Sequence, residues 1–230
     1  MAYLQLIKLK YPYVLKMRNG VMLELSDWQD LTTAWVVFYG NEYALRAEDS
    51  VVVDCGANIG AFSLLCAACL PNAKIIAIEA FPSTYARLVG GIAENGAEAQ
   101  VDAINGAIVG IAGSVFMDDA PDVASHSRKI GGTTGVAVEG YTLNRILDER
   151  NLNEVDLLKV DIEGAEYSLF KETPKSVLRR FKRIGLEYHG NGDTKELFNC
   201  IESAGFFVGR YPKKGNSGVV EFIRKGRLQL

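Results

Sequence analysis

Apolar and polar positions along this 230-residue chain follow two regimes, with the change near residue 50. Before it, Tyr13-Val14-Leu15-Lys16-Met17 and Val21-Met22-Leu23-Glu24-Leu25 are short strand-like runs on either side of Arg18-Asn19-Gly20. An Asn-Gly pair between such runs predicts a hairpin, because both residues tolerate the positive φ of a tight turn. Residues 31–45 carry apolar positions with Trp35, Phe38, Tyr39 and Tyr43 among them, and are expected to be helical. Packing on the core is one use for those aromatics, and lining a substrate entrance is the other. Residues 1–49 are thus expected to form a hairpin-plus-helix cap on a main domain at residues 50–230.

From Val51 onward, strand and helix patterns alternate, which predicts a parallel sheet with right-handed crossovers. Val51-Val52-Val53 lacks polar alternation, as a central strand buried on both faces requires. A helix is expected over residues 59–70, ended by Pro71-Asn72, and a second strand from Lys74 to Glu79. Phe81-Pro82-Ser83 opens another helix, with Pro82 suited to its first turn. Further strands are expected at 100–104, 155–160, 183–189, 206–211 and 218–223, and further helices over 142–150 and from Asp193 to Ser203. The connection from Pro212 to Ser217 is too short for a crossover, so the final two strands must pair antiparallel. The expected fold is α/β: a doubly wound, mostly parallel seven-stranded sheet ending in an antiparallel hairpin. Residues 110–140 break the rhythm with Gly, Ser, Thr and Asp, and are expected to form an insertion. Strand candidates at 115–117 and 136–138 would flank a loop that is either a substrate lid or disordered.

Composition narrows the function. A hydrophobic share of 48% supports a substantial core, and a net charge of -3 argues against general polyanion binding. Nucleic acid is therefore an unfavoured partner. The first residues lack a basic segment followed by a long apolar run, and no apolar run approaches the roughly 20 residues of a membrane span. Of Cys55, Cys66, Cys69 and Cys200, three fall in apolar patterns, which suits reduced thiols and a cytoplasmic location. Cys66 and Cys69 lie inside a helix rather than at its start, so packing is favoured over redox chemistry.

Candidate chemistry concentrates at the predicted C-terminal strand ends. Asp54-Cys55-Gly56-Ala57-Asn58-Ile59-Gly60 joins a strand to a helix through glycines that let backbone approach a ligand. Asp54 stands where a dinucleotide fingerprint has its first glycine. A carboxylate there would repel a pyrophosphate but suits an ammonium or sulfonium, which points to S-adenosylmethionine (SAM). Asp54, Gly56, Asn58 and Gly60 are the candidate binding residues of this stretch. Glu79, about 20 residues on, is placed to accept hydrogen bonds from ribose hydroxyls. Phe81 suits the adenine face or the core, and Asn105 and Ala107 the adenine edge. Asp161 and Glu163 end the fourth strand beside the expected reactive end of the ligand, to orient the sulfonium, accept a substrate proton or bind a metal, with decoration of a helix N-terminus the lesser reading for Glu163 and Glu166. His189 ends the fifth strand as either a general base or a structural histidine. Asp161, Glu187 and His189 leave a divalent metal open without indicating one.

These residues carry a resemblance. Val53–Gly60, Ile78-Glu79-Ala80-Phe81-Pro82, Asn105-Gly106-Ala107 and the run from Leu158 to Glu166 resemble the FkbM family of SAM-dependent methyltransferases, as does Glu187-Tyr188-His189. The likeness spans roughly residues 50–210, and Lys159-Val160-Asp161-Ile162-Glu163-Gly164-Ala165-Glu166 is its most specific part. It implies a Rossmann-like class I methyltransferase fold, SAM as cofactor, and O-methylation of a sugar, lipid or natural-product-like hydroxyl. His189, Asp161 and Glu163 are then the expected catalytic residues. A small-molecule or glycan acceptor is the expected partner, and a homo-oligomer is compatible with the sequence. The competing readings are a nucleic-acid methyltransferase, for which there is neither an Asn-Pro-Pro-Tyr-type motif nor a basic domain, and a non-catalytic SAM binder.

Overall fold

The structure is a computed structural model, and it describes residues 10–40, 42–43, 45–117, 135–213 and 217–226, the side chains of 211–213 excepted. The central sheet has seven strands: β3 (Val51–Cys55), β4 (Lys74–Glu79), β5 (Val101–Asn105), β9 (Val155–Val160), β10 (Phe181–Tyr188), β11 (Phe206–Lys213) and β12 (Gly218–Arg224). Their spatial order is β11-β12-β10-β9-β3-β4-β5. β5, β4, β3, β9 and β10 run parallel, and β12 inserts antiparallel between β10 and β11. The expected antiparallel finish is therefore present, and β3 lies at the centre.

Alternation along each strand divides the core into two layers. Val53, Ile76, Leu158 and Ile184 face a cluster completed by α4 (Leu143–Glu149), α5 (Glu166–Glu172), α6 (Lys175–Leu178) and α7 (Thr194–Ser203). Val52, Ile75, Ala77 and Leu157 face the other, with α2 (Ala61–Cys69) and α3 (Pro82–Glu94). The N-terminal hairpin, β1 (Tyr13–Lys16) and β2 (Met22–Leu25), packs Leu23 and Leu25 into this second layer, and Gly20 takes a φ of 93° in its turn.

Helix α1 (Trp28–Trp35) departs from expectation in both directions. It begins three residues early because Asp27 accepts hydrogen bonds from the backbone N–H groups of Gln29 and Asp30, which an apolar pattern does not register. It ends early too, widening into a π turn over Val36–Gly40. Beyond the main sheet, β6 (Ala107–Ile108), β7 (Gly113–Met117) and β8 (Val136–Tyr141) form a small sheet of their own, β7 and β8 pairing antiparallel as expected. The loop between them, the candidate lid, lies outside the described residues, as does part of the β11–β12 connection.

Candidate active site

The C-terminal ends of β3, β4, β5, β9 and β10 all open on one edge of the sheet, where open α/β folds place their ligands. A cleft of about 330 Å³ lies there. Gly56, Ala57 and Asn58 form one wall, Lys159, Asp161, Glu163, Glu187 and His189 another, and Trp28, Gln29, Thr32 and Thr33 of α1 close it from above.

The glycine turn is fixed by close approach. The N–H groups of Gly56 and Ala57 both bond to Ile78 O, and Gly56 has a φ of 78°. A Cβ on Gly56 would stand 1.8 Å from Asp161 O, so no other residue fits. Gly60, with a φ of 88°, leads into α2, and a Cβ there would meet Leu88 at 2.7 Å. It thus lets α2 and α3 pack closely, and it lies next to the cleft without being among its lining residues.

Asp54 is fully buried and also lies behind the cleft surface rather than on it. Its carboxylate pairs with Lys159 Nζ at 3.0 Å and accepts from Ser63 Oγ at 2.7 Å, while Lys159 also donates to Gly56 O at 2.7 Å. Burial alone would lower the Lys159 ammonium, but Asp54 and Asp161 more than offset this and raise it. The pair thus ties the glycine turn to β9. Lys159 is a site residue that sequence reasoning quoted without assigning a role. Its signal is a lysine flanked by Leu158 and Val160 in a strand buried along its length, which demands a buried counter-charge.

Glu79 is buried at the end of β4, level with Asn105 on β5. Its oxygens accept from Asn58 N and Phe81 N, each at 2.9 Å, while burial pushes its carboxyl up despite those bonds. Asn105 Nδ2 donates to Glu79 O and Ala80 O, and Phe81 and Ala107 share an apolar cluster with Met117 and Val138. The structure therefore gathers Glu79, Phe81, Asn105 and Ala107 at one place, next to the turn that carries Asn58.

The other end of the cleft is acidic. Tyr43, buried, donates toward both Glu187 (3.1 Å) and Asp161 (3.3 Å). The loop after β9 doubles back through Glu163 at φ 52° and Gly164 at φ 97°. Glu166, with no exposed surface, stabilises that loop by accepting from Ile162 N and Gly164 N. The same oxygen receives His189 Nδ1 at 3.1 Å, leaving Nε2 3.5 Å from Glu163. Hydrogen bonding to Glu166 is the main reason the His189 pKa rises to about 9, so the ring carries a proton at neutral pH. Burial, and then Asp161, push Glu163 up to about 7, and Glu187 is raised by the same two causes. Asp161, Glu163 and His189 are brought together, with one ligand atom from each lying within 4.8 Å of the others. Glu166, expected either as a site acid or as a helix-end residue, opens α5 and holds the histidine.

A buried polar atom tests whether SAM suits the cleft. Asn58 lines it in the left-handed conformation, and its Oδ1 is buried with no partner among the described residues. An acceptor of that kind fits an α-ammonium group, and buried Glu79 one turn away fits ribose hydroxyls. Together with the strand order and the antiparallel finish, these features define a class I, SAM-dependent methyltransferase. Residues 54–208 match the methyltransferase FkbM domain, and the chain belongs to that family. Methyltransferase sdnD of Sordaria araneosa is 28% identical over 192 residues, which is 69% of this chain and 74% of that protein. The AMB antimetabolite synthetase AmbE of Pseudomonas aeruginosa is 24% identical over 67% of this chain, a stretch that makes up only 9% of AmbE. Among solved structures, methyltransferase FkbM from Methylobacillus flagellatus superposes with a TM-score of 0.56 at 17% identity, over 83% of this chain and 47% of that one. TrmK of M. capricolum, in complex with S-adenosyl-homocysteine, gives 0.52 at 8% identity over 83% and 70%, a likeness of fold.

Proposed function

We propose that this enzyme methylates a hydroxyl group of a small molecule, in the class of sugars, lipids and natural-product-like compounds. The observation that carries this reading is the cleft itself. It sets the Gly56–Asn58 turn across from a cluster of three carboxylates and a histidine, roofed by α1. A hydroxyl must lose its proton to become a good nucleophile, and that cluster is able to accept one. Glu163, Glu187 and His189 lie close enough to titrate together, so the proton belongs to the group rather than to one atom.

Bound SAM supplies an electrophilic methyl on its sulfonium, which becomes a neutral thioether on transfer. The residues of this chain do the rest. Asn58, Glu79 and the glycine turn hold the cofactor, and Tyr43 donates toward both Asp161 and Glu187. Trp28, Thr32 and Thr33 cover the acceptor and keep water from competing. The net charge of -3, and a cleft in which the described residues set Asp161, Glu163 and Glu187 against Lys159 and His189, favour this over a nucleic-acid acceptor.

The test is a methyl-transfer screen over glycans, lipids and hydroxylated metabolites, with the new methyl located by NMR. An O-methyl product is expected, and a methyl found on nitrogen or carbon would overturn the reading. His189→Ala should lower turnover at least tenfold while SAM affinity by calorimetry stays near wild type. Full activity in that variant would remove His189 from the chemistry.

A further inference from the structure

We propose that Asp161, Glu163 and His189 form a binding site for one divalent cation of intermediate hardness, with Mn2+ the best fit. Three observations support it independently of the acidic character of the cleft. First, the donors converge: one atom from each residue lies within 4.8 Å of the others. With bonds of about 2.1 Å, ligand atoms on one ion lie about 3.0 Å apart when adjacent and about 4.2 Å when opposite, so the three donors close on an ion by side-chain rotation. Second, the set mixes one imidazole with two carboxylates. Hard carboxylates alone suit Mg2+ or Ca2+, and an imidazole shifts the preference toward Mn2+, Fe2+ or Zn2+. Third, the histidine is held as a ligand histidine is. Glu166 is fully buried, anchored by Ile162 N and Gly164 N, and engages Nδ1, so that Nε2 is the nitrogen presented to Glu163. Tyr43 does the same for Asp161 from the other side.

Charge agrees with geometry. Lys159, the nearest lysine or arginine among the described residues, is engaged by Asp54 and Gly56 O and stands 3.8 Å from Asp161. Asp161, Glu163 and Glu187 are left facing one histidine. A dication bound there neutralises most of that excess. The ion would leave coordination positions on the cleft side for the acceptor hydroxyl, polarising its O–H bond. The hydroxyl proton then passes to Glu187, which the ion does not use. This last role rests on the hydroxyl-methylation reading, whereas the ion's binding does not.

The experiment is a Mn2+ titration of the chelator-treated full chain without acceptor, followed by calorimetry and by the loss of the free Mn2+ EPR signal. One Mn2+ per chain is expected. Glu163→Gln and Asp161→Asn should each weaken it at least tenfold, and Glu166→Gln by about tenfold through the histidine it holds. Glu139→Gln, a surface change paired with Arg145 and outside the cluster, should leave it unchanged. No binding at millimolar Mn2+, or binding that survives both Glu163→Gln and Asp161→Asn, overturns the site. Because the readout needs no methyl transfer, a failed acceptor screen leaves a positive Mn2+ result standing. Conversely, O-methylation at full rate in chelator, with no Mn2+ bound, would uphold the methylation and refute the metal.

Discussion

Glu79 shows how much one buried carboxylate organises. It holds the N–H of Asn58 in the glycine turn and the N–H of Phe81 at the start of α3, so one side chain ties the turn that lines the cleft to the entry of the next helix. Glu79→Ala removes an acceptor suited to ribose hydroxyls and leaves both N–H groups unpaired in a buried place. SAM affinity measured by calorimetry should fall more than tenfold, and an unchanged affinity would refute the ribose assignment. Position 79 was legible in the sequence because it follows a glycine turn at a spacing that chemistry imposes. Lys159 and Tyr43 were not legible in the same way. Their partners lie about 100 residues distant along the chain, and no periodic pattern encodes which charge a buried lysine or phenol meets. Glu166 carried two readings that local sequence could not separate, since an acid at a helix start looks alike whether it serves the helix or a histidine.

At the scale of elements, the strands of the main sheet were read to within two residues, while the cap helix and the small sheet's β6 were not. Strands β3, β4 and β9 are apolar runs buried on both faces, a pattern that leaves little choice. Helix α1 instead takes its start from a polar residue and its end from a change of helical pitch, and neither appears as hydrophobic periodicity. That makes Asp27 the element's weak point. Asp27→Ala leaves the N–H groups of Gln29 and Asp30 without their acceptor and should cost about 1 kcal/mol in urea unfolding. Because α1 roofs the acceptor side of the cleft and not Glu79, fraying should raise KM for the acceptor while SAM affinity holds. An equal loss of both would mean that the roof and the cofactor wall move as one body.

Across the whole molecule, the catalytic edge depends on charges buried at the opposite end of the sheet. Arg183, near the start of β10, lies 2.5 Å from Asp49, in the segment leading into β3, and 3.1 Å from Glu221 on β12. Arg46 reaches the same Glu221 oxygen at 3.0 Å. Asp49, Arg183 and Glu221 are almost fully shielded from water, so this network joins the segment after the cap to the parallel strands and to the antiparallel insertion. Such a cluster contributes modestly when whole and costs much when broken, because a lost partner strands the remaining charges in a low dielectric. Arg183→Met should therefore destabilise the protein by about 3–5 kcal/mol in denaturant unfolding. Adding Asp49→Asn and Glu221→Gln to it should recover part of that loss, since the stranded carboxylates then disappear. A triple variant no more stable than Arg183→Met would show that packing of the long side chain, rather than charge, is what the sheet needs there. The active edge supplies the second readout. β10 ends at Tyr188, directly before His189, and a strand loosened at its base should let the His189–Glu166 contact slacken. Turnover in the folded fraction should then fall with stability in Arg183→Met and return with it in the triple variant.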